Sequence, residues 1–325
     1  MQLKRIEWSA GGDWEERVRH CGGHGLHMPA IHMADNDASS IECLSVEDAS
    51  GPLACAILIE PAVGRLARLR RAPRTFLMPV APAIAPGAPA REVRNLLLQH
   101  ARAAGAVRLQ VHPGYGQSML GDEDLAPYRT HSLTEFVIDL RRGYEEILAA
   151  MHKIHRKNIR RAGRAGLSIE DDPSLEGLLR LRQLQVASAA RAGERTEGFA
   201  VQDEAVFRRL YENIYASGLG HLVFVRLDGE DVAALAWVQA AGRILTVRSG
   251  SLPLGYETRA MYLLHDELIR RALADSIVEL NIGGVPAEAS EPNHPQSGLY
   301  EFKNGFGGQP QIRHGLDLPL KEIGA

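Results

Sequence analysis

Aromatic residues make up only 6% of this 325-residue chain, and cysteine occurs three times, at Cys21, Cys43 and Cys55. An odd cysteine count without regular spacing excludes a disulfide scaffold and fits a reducing compartment. No apolar run reaches the roughly 18 residues that a membrane-spanning helix needs, and Met1 to Trp8 lack the apolar core of a secretion signal. The expectation is a cytoplasmic protein with no membrane span. A formal charge of -3, from 37 basic and 40 acidic residues, excludes a protein that coats nucleic acid non-specifically. Any polyanion contact has to be local.

What is there is ordinary for a globular protein: 45% apolar and 24% charged residues, in a chain long enough for two cores. The pattern of elements is α/β (α+β) and falls into two similar halves, taken as domains 1–133 and 134–325. In the first, strands are expected near 3–7, 40–44, 53–60 and 76–80, with a basic run at Arg65–Arg71. A Pro/Gly/Ala-rich loop at 81–90, a helix at 91–104 closed by Gly105 and a strand at 107–111 follow. The second half repeats the rhythm with a strand at 136–140, one long helix at 144–165, and helices at 175–192 and 203–217. Three strands at 221–227, 232–240 and 243–249 are joined by turns at Asp228-Gly229 and Ala241-Gly242. A helix at 257–274 and a strand at 277–282 precede a short helix in 299–308 and a last strand from 311.

Charge of one sign is concentrated in one place. Met151 to Leu167 carries six cations, Lys153, Arg156, Lys157, Arg160, Arg161 and Arg164, and no acid. Helical spacing lines up Lys153, Lys157, Arg160 and Arg164, and sets Leu148, Met151, Ile154 and Ile159 toward the other side. Such a helix packs on one face and offers the other to phosphate. The histidines around Cys21 (His20, His24, His27 and His32) lack the paired spacing of a zinc site and sit among glycines, so no metal is expected there. His27 and His32 are kept as ligand-contact candidates. No phosphate-binding Walker run, no nucleophile elbow and no His-Glu-x-x-His occur.

Three segments together resemble the Fem family of aminoacyl-tRNA-dependent peptidyltransferases and its FemAB-like relatives, which are tandem GNAT-like (acetyltransferase-type) folds. One is Phe136-Val-Ile-Asp-Leu140 with Met151 through Leu167; another runs from Gly250 through Tyr256 to Glu279-Leu-Asn-Ile-Gly-Gly284. The sharpest is Leu299-Tyr-Glu-Phe-Lys-Asn-Gly-Phe-Gly-Gly308. A weaker likeness covers Pro82 to Pro89 and Gly105 to Pro113, so the resemblance spans about residues 76 to 316. The chain departs from the pattern in lacking a long helical-hairpin insertion, in having His112 where several members have an acidic residue, and in having Asn281 in place of an aspartate.

The resemblance implies two tandem GNAT-like domains, each a mixed, mostly antiparallel sheet flanked by helices. It also implies a transferase that moves an aminoacyl group from aminoacyl-tRNA to an amine, on a cell-wall precursor peptide or a small natural product such as an antibiotic. An aminoacyl ester is already activated, so no tightly bound cofactor is expected, and the protein supplies positioning and relief of the oxyanion. Lys303 is the candidate for that task, and His112 for a general base. Lys153, Arg156, Lys157, Arg160, Arg161 and Arg164 would hold donor phosphates, with Phe302, Gly305 and Phe306 beside them. Tyr256, Arg248 and Asn281 are substrate-binding candidates. Two alternatives stand: an N-acyltransferase of the same fold using acyl-CoA, and a non-catalytic RNA- or partner-binding module. Ser249 to Gly255 does not fit the Gly-rich run with which acetyl-CoA enzymes hold a pyrophosphate, which disfavours the first of them.

Overall fold

A computed structural model describes residues 1–9, 12–35, 38–62, 73–114, 123–192 and 202–321; the basic run Arg65–Arg71 lies outside the described residues. Packing separates two compact units, one of Met1–Leu133 with Ile312–Ala325, the other of Thr134–Gln311. Each is a mixed sheet with helices.

The first unit contains β1 (Gln2–Ile6), α1 (Trp14–His20), α2 (Pro29–Asp35), β2 (Ala38–Asp48), β3 (Gly51–Pro61), β4 (Arg74–Met78), β5 (Ala83–Ile84), α3 (Ala90–Ala103) and β6 (Ala106–Val111). Its sheet order is β1-β2-β3-β4-β6, closed by the end of the last strand, where Leu316–Pro319 pair antiparallel with β6. That pairing is why the C-terminal segment belongs to the first unit and the second ends at Gln311, short of the expected 325. β4 and β6 run parallel, and α3 makes the crossover between them. Val93, Leu97, Leu98 and Ala101 form the apolar stripe of α3 and bury it in a core with Leu44, Leu58, Phe76 and Met78. Two short elements, α2 and β5, have no periodicity long enough to be foreseen.

β7 (Arg129–Asp139) leads into the second unit. There α4 (Tyr144–Ala150), α5 (Lys153–Ala162), β8 (Ser168–Asp171), α6 (Leu175–Ala192) and α7 (Glu204–Leu210) precede β9 (Gly220–Leu227), β10 (Glu230–Ala240) and β11 (Arg243–Ser251). α8 (Pro253–Glu257), α9 (Ala260–Ala274), β12 (Glu279–Pro286), α10 (Ser297–Asn304) and β13 (Gln309–Pro319) complete the chain. The strand order is β7-β12-β11-β10-β9-β8. Both hairpins among β9, β10 and β11 turn through two consecutive left-handed residues, Asp228-Gly229 and Ala241-Gly242, the conformation that suits a twisted two-residue connection. The single helix expected over 144–165 is two helices. Met151 takes an extended conformation, and Arg156 Nη1 donates to the carbonyls of Leu148, Ala149 and Met151, which the break leaves without helical partners.

Candidate active site

β11 and β12 are parallel neighbours for three positions only, Arg243↔Glu279, Ile244↔Leu280 and Leu245↔Asn281. A bulge explains where the ladder stops. In the β10–β11 pairing Ala236 faces Arg248 and Trp237 faces Thr246, so Val247 has no opposite number. An extra residue bends and twists its strand, and it does so immediately after the last β11–β12 pair. On the other side Gly283 and Gly284 follow Asn281, and glycine in a strand marks a bend or a close approach. Both strands therefore part at the same level, leaving a mouth.

α10 delivers a lysine to it. Tyr300 sets its ring edge-on to Phe136 of β7 at 5.1 Å, and from the last turn of the helix Lys303 Nζ donates to Gly284 O at 3.1 Å. Gly283 has φ +80°, and a Cβ there would lie 2.9 Å from Lys303 Nζ, so the ammonium rests where only glycine leaves room. Burial pushes the Lys303 pKa down to about 8, against the pull of the Glu135 carboxylate on β7, itself only 5% exposed. Asn281, two residues before Gly283 on β12, is fully buried. Its Oδ1 accepts from Gly283 N–H at 2.7 Å, and its Nδ2 has no acceptor among the described residues. A buried amide hydrogen without a partner is costly to folding.

The cations of α5 are placed differently from Lys303. Lys153, Lys157, Arg160 and Arg161 on the helix and Arg164 in the turn that follows it are all exposed, and Ile154, expected on the packing side, is 53% exposed among them. Arg156 stands apart from that group, because its Nη1 is occupied by the α4 carbonyls. Glu135, and no cation of α5, is the charged group that acts on Lys303. What links α5 to Lys303 is its first turn, described below.

Several other candidates have structural work. Phe306 is fully buried and stacks on His265 at 4.8 Å, so it packs the unit and has no free face for a base; Phe302 remains partly exposed. Tyr256 lies in α8 and not at a strand end, with 38% of its surface exposed. Arg248 on β11 lays its guanidinium over Phe207 at 5.4 Å. In the first unit His27 is completely buried, its Nε2 bonded to Ala81 O at 3.1 Å and its Nδ1 accepting from His24 N–H at 3.3 Å. His32 Nε2 meets Leu26 O at 2.7 Å, so both rings serve the loop's backbone and offer no edge to a ligand. His112 follows β6, where its backbone N–H donates to Met78 O; burial and the neighbouring His131 hold its ring below the ordinary histidine pKa. Among the described residues no group of three or more His, Cys, Asp or Glu is placed to hold a metal.

Sequence reasoning missed Glu135, Gly283, His155 and His265. Glu135 was hidden inside an apolar strand, where a lone carboxylate is a signal only once its partner is known. A groove of about 550 Å³ in the first unit, lined by Arg5, Trp8, Met33 and Cys43 among others, holds none of the candidate residues.

Residues 149–304 match the acetyltransferase (GNAT) domain family. The match covers most of the second unit, and the chain has the tandem GNAT-like fold. No curated protein matches the chain. Among solved structures, FemX covers 97% of this chain and 96% of its own with a TM-score of 0.76 at 13% identity. The C-terminal domain of a putative lysylphosphatidylglycerol synthetase from Agrobacterium fabrum aligns over 94% and 92% with a TM-score of 0.56 at 14% identity. A tandem GNAT protein from the clavulanic acid biosynthesis pathway covers 98% and 99% with a TM-score of 0.53, also at 14% identity. At such identities the likeness is one of fold. No helix among the described residues is long and apolar enough to cross a membrane.

Proposed function

We propose that the protein forms an amide bond by moving an aminoacyl group from aminoacyl-tRNA to an amine acceptor, either a cell-wall precursor peptide or a small natural product. The observation that carries this reading is the half-buried Lys303, whose ammonium reaches Gly284 O at the mouth between β11 and β12, on the strand that also carries the unpaired amide of Asn281. In aminolysis the acceptor nitrogen attacks the ester carbonyl to give an oxyanion, the nitrogen gives up one proton, and collapse breaks the bond to the ribose oxygen, which leaves as a hydroxyl carrying that proton. Lys303 and Asn281 Nδ2 are donors placed for that oxyanion, and a preorganised donor in a desolvated site is the strongest single device for such a step. Lys153, Lys157, Arg160 and Arg161 on the exposed face of α5, with Arg164 in the turn after it, would seat the phosphates of the acceptor stem, with Phe302 beside them. Arg248 and Tyr256 would contact acceptor or donor groups at the rim. Fold likeness to FemX and to a lysylphosphatidylglycerol synthetase supports aminoacyl transfer by analogy.

An acyl-CoA donor is the second reading, favoured by the GNAT domain match and by strands that part as a slot for an extended chain. The two are separated by incubating the protein with a mixture of charged tRNAs or with acetyl-CoA, each against a panel of amines, and following amide products by mass spectrometry. RNase-sensitive product is expected. Product from acetyl-CoA alone would overturn the tRNA reading, and none from either donor would leave a binding module.

A further inference from the structure

The first turn of α5 and the last turn of α10 meet through one imidazole. His155 is 3% exposed, and its Nε2 lies 2.8 Å from the carbonyl oxygen of Phe302, the residue before Lys303. That carbonyl belongs to the end of a helix, where the last four carbonyls lack regular partners. Gly305 N–H goes to Glu301 O and Phe306 N–H to Lys303 O, so Phe302 O is taken by the histidine. A carbonyl only accepts, which puts the ring proton on Nε2 and leaves Nδ1 bare; Nδ1 is buried and has no partner among the described residues. Two further contacts complete the clamp. His152 N–H donates to Gly305 O at 2.9 Å, and a Cβ on Gly305 would come within 1.9 Å of the His155 ring. The ring is boxed edge-on by Phe306 at 4.8 Å and Tyr262 at 5.0 Å. Hydrogen bonds to residues 302 and 305 thus bracket Lys303, and both come from the start of the helix whose other face is cationic, with Tyr262 and His265 of α9 packing on Phe302 from the other side.

We infer that His155 is a positioning residue: by capping α10 it fixes the rotation of the helix's last turn and so holds Lys303 in the mouth between β11 and β12. The inference rests on the reading of Lys303 as the group that acts on the reacting acyl carbon. It gives the first glycine of the Phe-Lys-x-Gly run a concrete reason, since Gly305 makes room for the clamp and not for a ligand. It also ties the helix that would seat a polyanion to the residue that would do the chemistry.

The test reads Lys303 directly and needs neither donor nor acceptor. The intact protein is pulsed with acetic anhydride across a pH series, and acylation of Lys303 is followed by peptide mass spectrometry. In the unaltered protein the half-point is expected at about pH 8. In His155→Phe, which keeps an aromatic ring and removes the donor, the half-point should move up toward the ordinary lysine value and Lys303 should label about fivefold faster at saturating pH, the factor expected for one lost buried hydrogen bond. His155→Gln, whose amide restores a donor, should return both quantities toward those of the unaltered protein. Should His155→Phe not fold, the double variant His155→Ala with Gly305→Ala fills the space with a methyl group and still lacks the donor; it should show the same shift. An unchanged Lys303 profile in whichever of these folds overturns the positioning role, and so does a half-point near 10.5 in the unaltered protein. Because labelling is independent of turnover, that failure leaves acyl transfer standing, and absence of product in the donor panel leaves the clamp standing.

Discussion

The two units use the same device, a parallel strand pair joined by a helical crossover, and finish it in opposite ways. In the first, β4 and β6 stay paired from Arg74↔Ala106 to Met78↔Val111, and the backbone bond from His112 N–H to Met78 O prolongs the contact past the strand end. Met78 is fully buried there. In the second, β11 and β12 part after Leu245↔Asn281, where Lys303 reaches Gly284 O, the Glu135 carboxylate on the neighbouring β7 acts on that lysine, and Asn281 holds an unpaired amide. One pair is sealed with apolar atoms and the other is kept open with polar ones. A sealed pair is worth stability and an open one costs it, so polar groups at the open pair are the ones with a use beyond folding.

The sharpest way to break that contrast is at Lys303. Lys303→Met is expected to lower amide formation by on the order of 1,000-fold, the usual loss when a donor to an oxyanion is removed. Thermal stability should hold or rise, because a desolvated ammonium is replaced by an apolar chain. Full activity in a folded Lys303→Met protein would mean that the mouth is not where the reaction happens. The sealed pair predicts the reverse pattern. Met78→Ala should cost about 3 kcal/mol in denaturant unfolding, as a buried large-to-small change does. A cost under about 1 kcal/mol would show that the first unit's pair is not packed as tightly as its burial implies.

How much of this was readable beforehand follows from what each element uses as its signal. The strands of the β9–β11 meander and the helix α3 were visible because period-two and period-3.6 patterns run long enough in them, and Asp228-Gly229 and Ala241-Gly242 fix the turns. The break between α4 and α5 was not, since nothing in Ala150-Met-His-Lys153 stops a helix locally; a guanidinium five residues on takes over the loose carbonyls. Lys303 stood out through the Phe-Lys-x-Gly-Phe-Gly run, yet the same run misled about Phe306, because an aromatic next to glycine reads alike whether it meets a base or a buried histidine. His27 and His32 drew attention as a cluster, but their partners are the carbonyls of Ala81 and Leu26. Residues fixed by contacts distant in sequence, Glu135 and His155 above all, have no local mark.

The polar content of the open unit should also show in its pH dependence. His265, 4% exposed and stacked on Phe306, has its pKa pushed down to about 4 by burial, from 6.5. A folded-state pKa below the unfolded one means the folded form binds its proton less readily, so this stability is complete above pH 6.5 and is lost as pH falls toward 4. At the acid end the loss from this group alone is at most about 3 kcal/mol. His155 and His221 are shifted the same way by burial and would add to the slope. Urea unfolding at a series of pH values should show the decline, and His265→Phe should flatten part of it. An unchanged slope in that variant would place the acid sensitivity elsewhere.

The smallest effects belong to single cations on α5, and their pattern distinguishes the exposed face from its structural neighbour. Binding of unfractionated tRNA should weaken only a few-fold for Lys153→Ala, Lys157→Ala, Arg160→Ala, Arg161→Ala or Arg164→Ala, each lowering the dependence of affinity on salt by about one ion, because exposed charges act through counterion release. Arg156→Ala should differ in kind. Its Nη1 donates to three carbonyls at the α4–α5 break, so its loss should cost about 1 to 2 kcal/mol of stability while leaving the salt dependence where it was. If Arg156→Ala changes the salt dependence as the other five do, the guanidinium belongs to the polyanion face after all, and the α4 carbonyls are only where it rests without a ligand. If none of the six changes it, α5 is a solvated basic helix, and whatever donor reaches Lys303 is recognised without it.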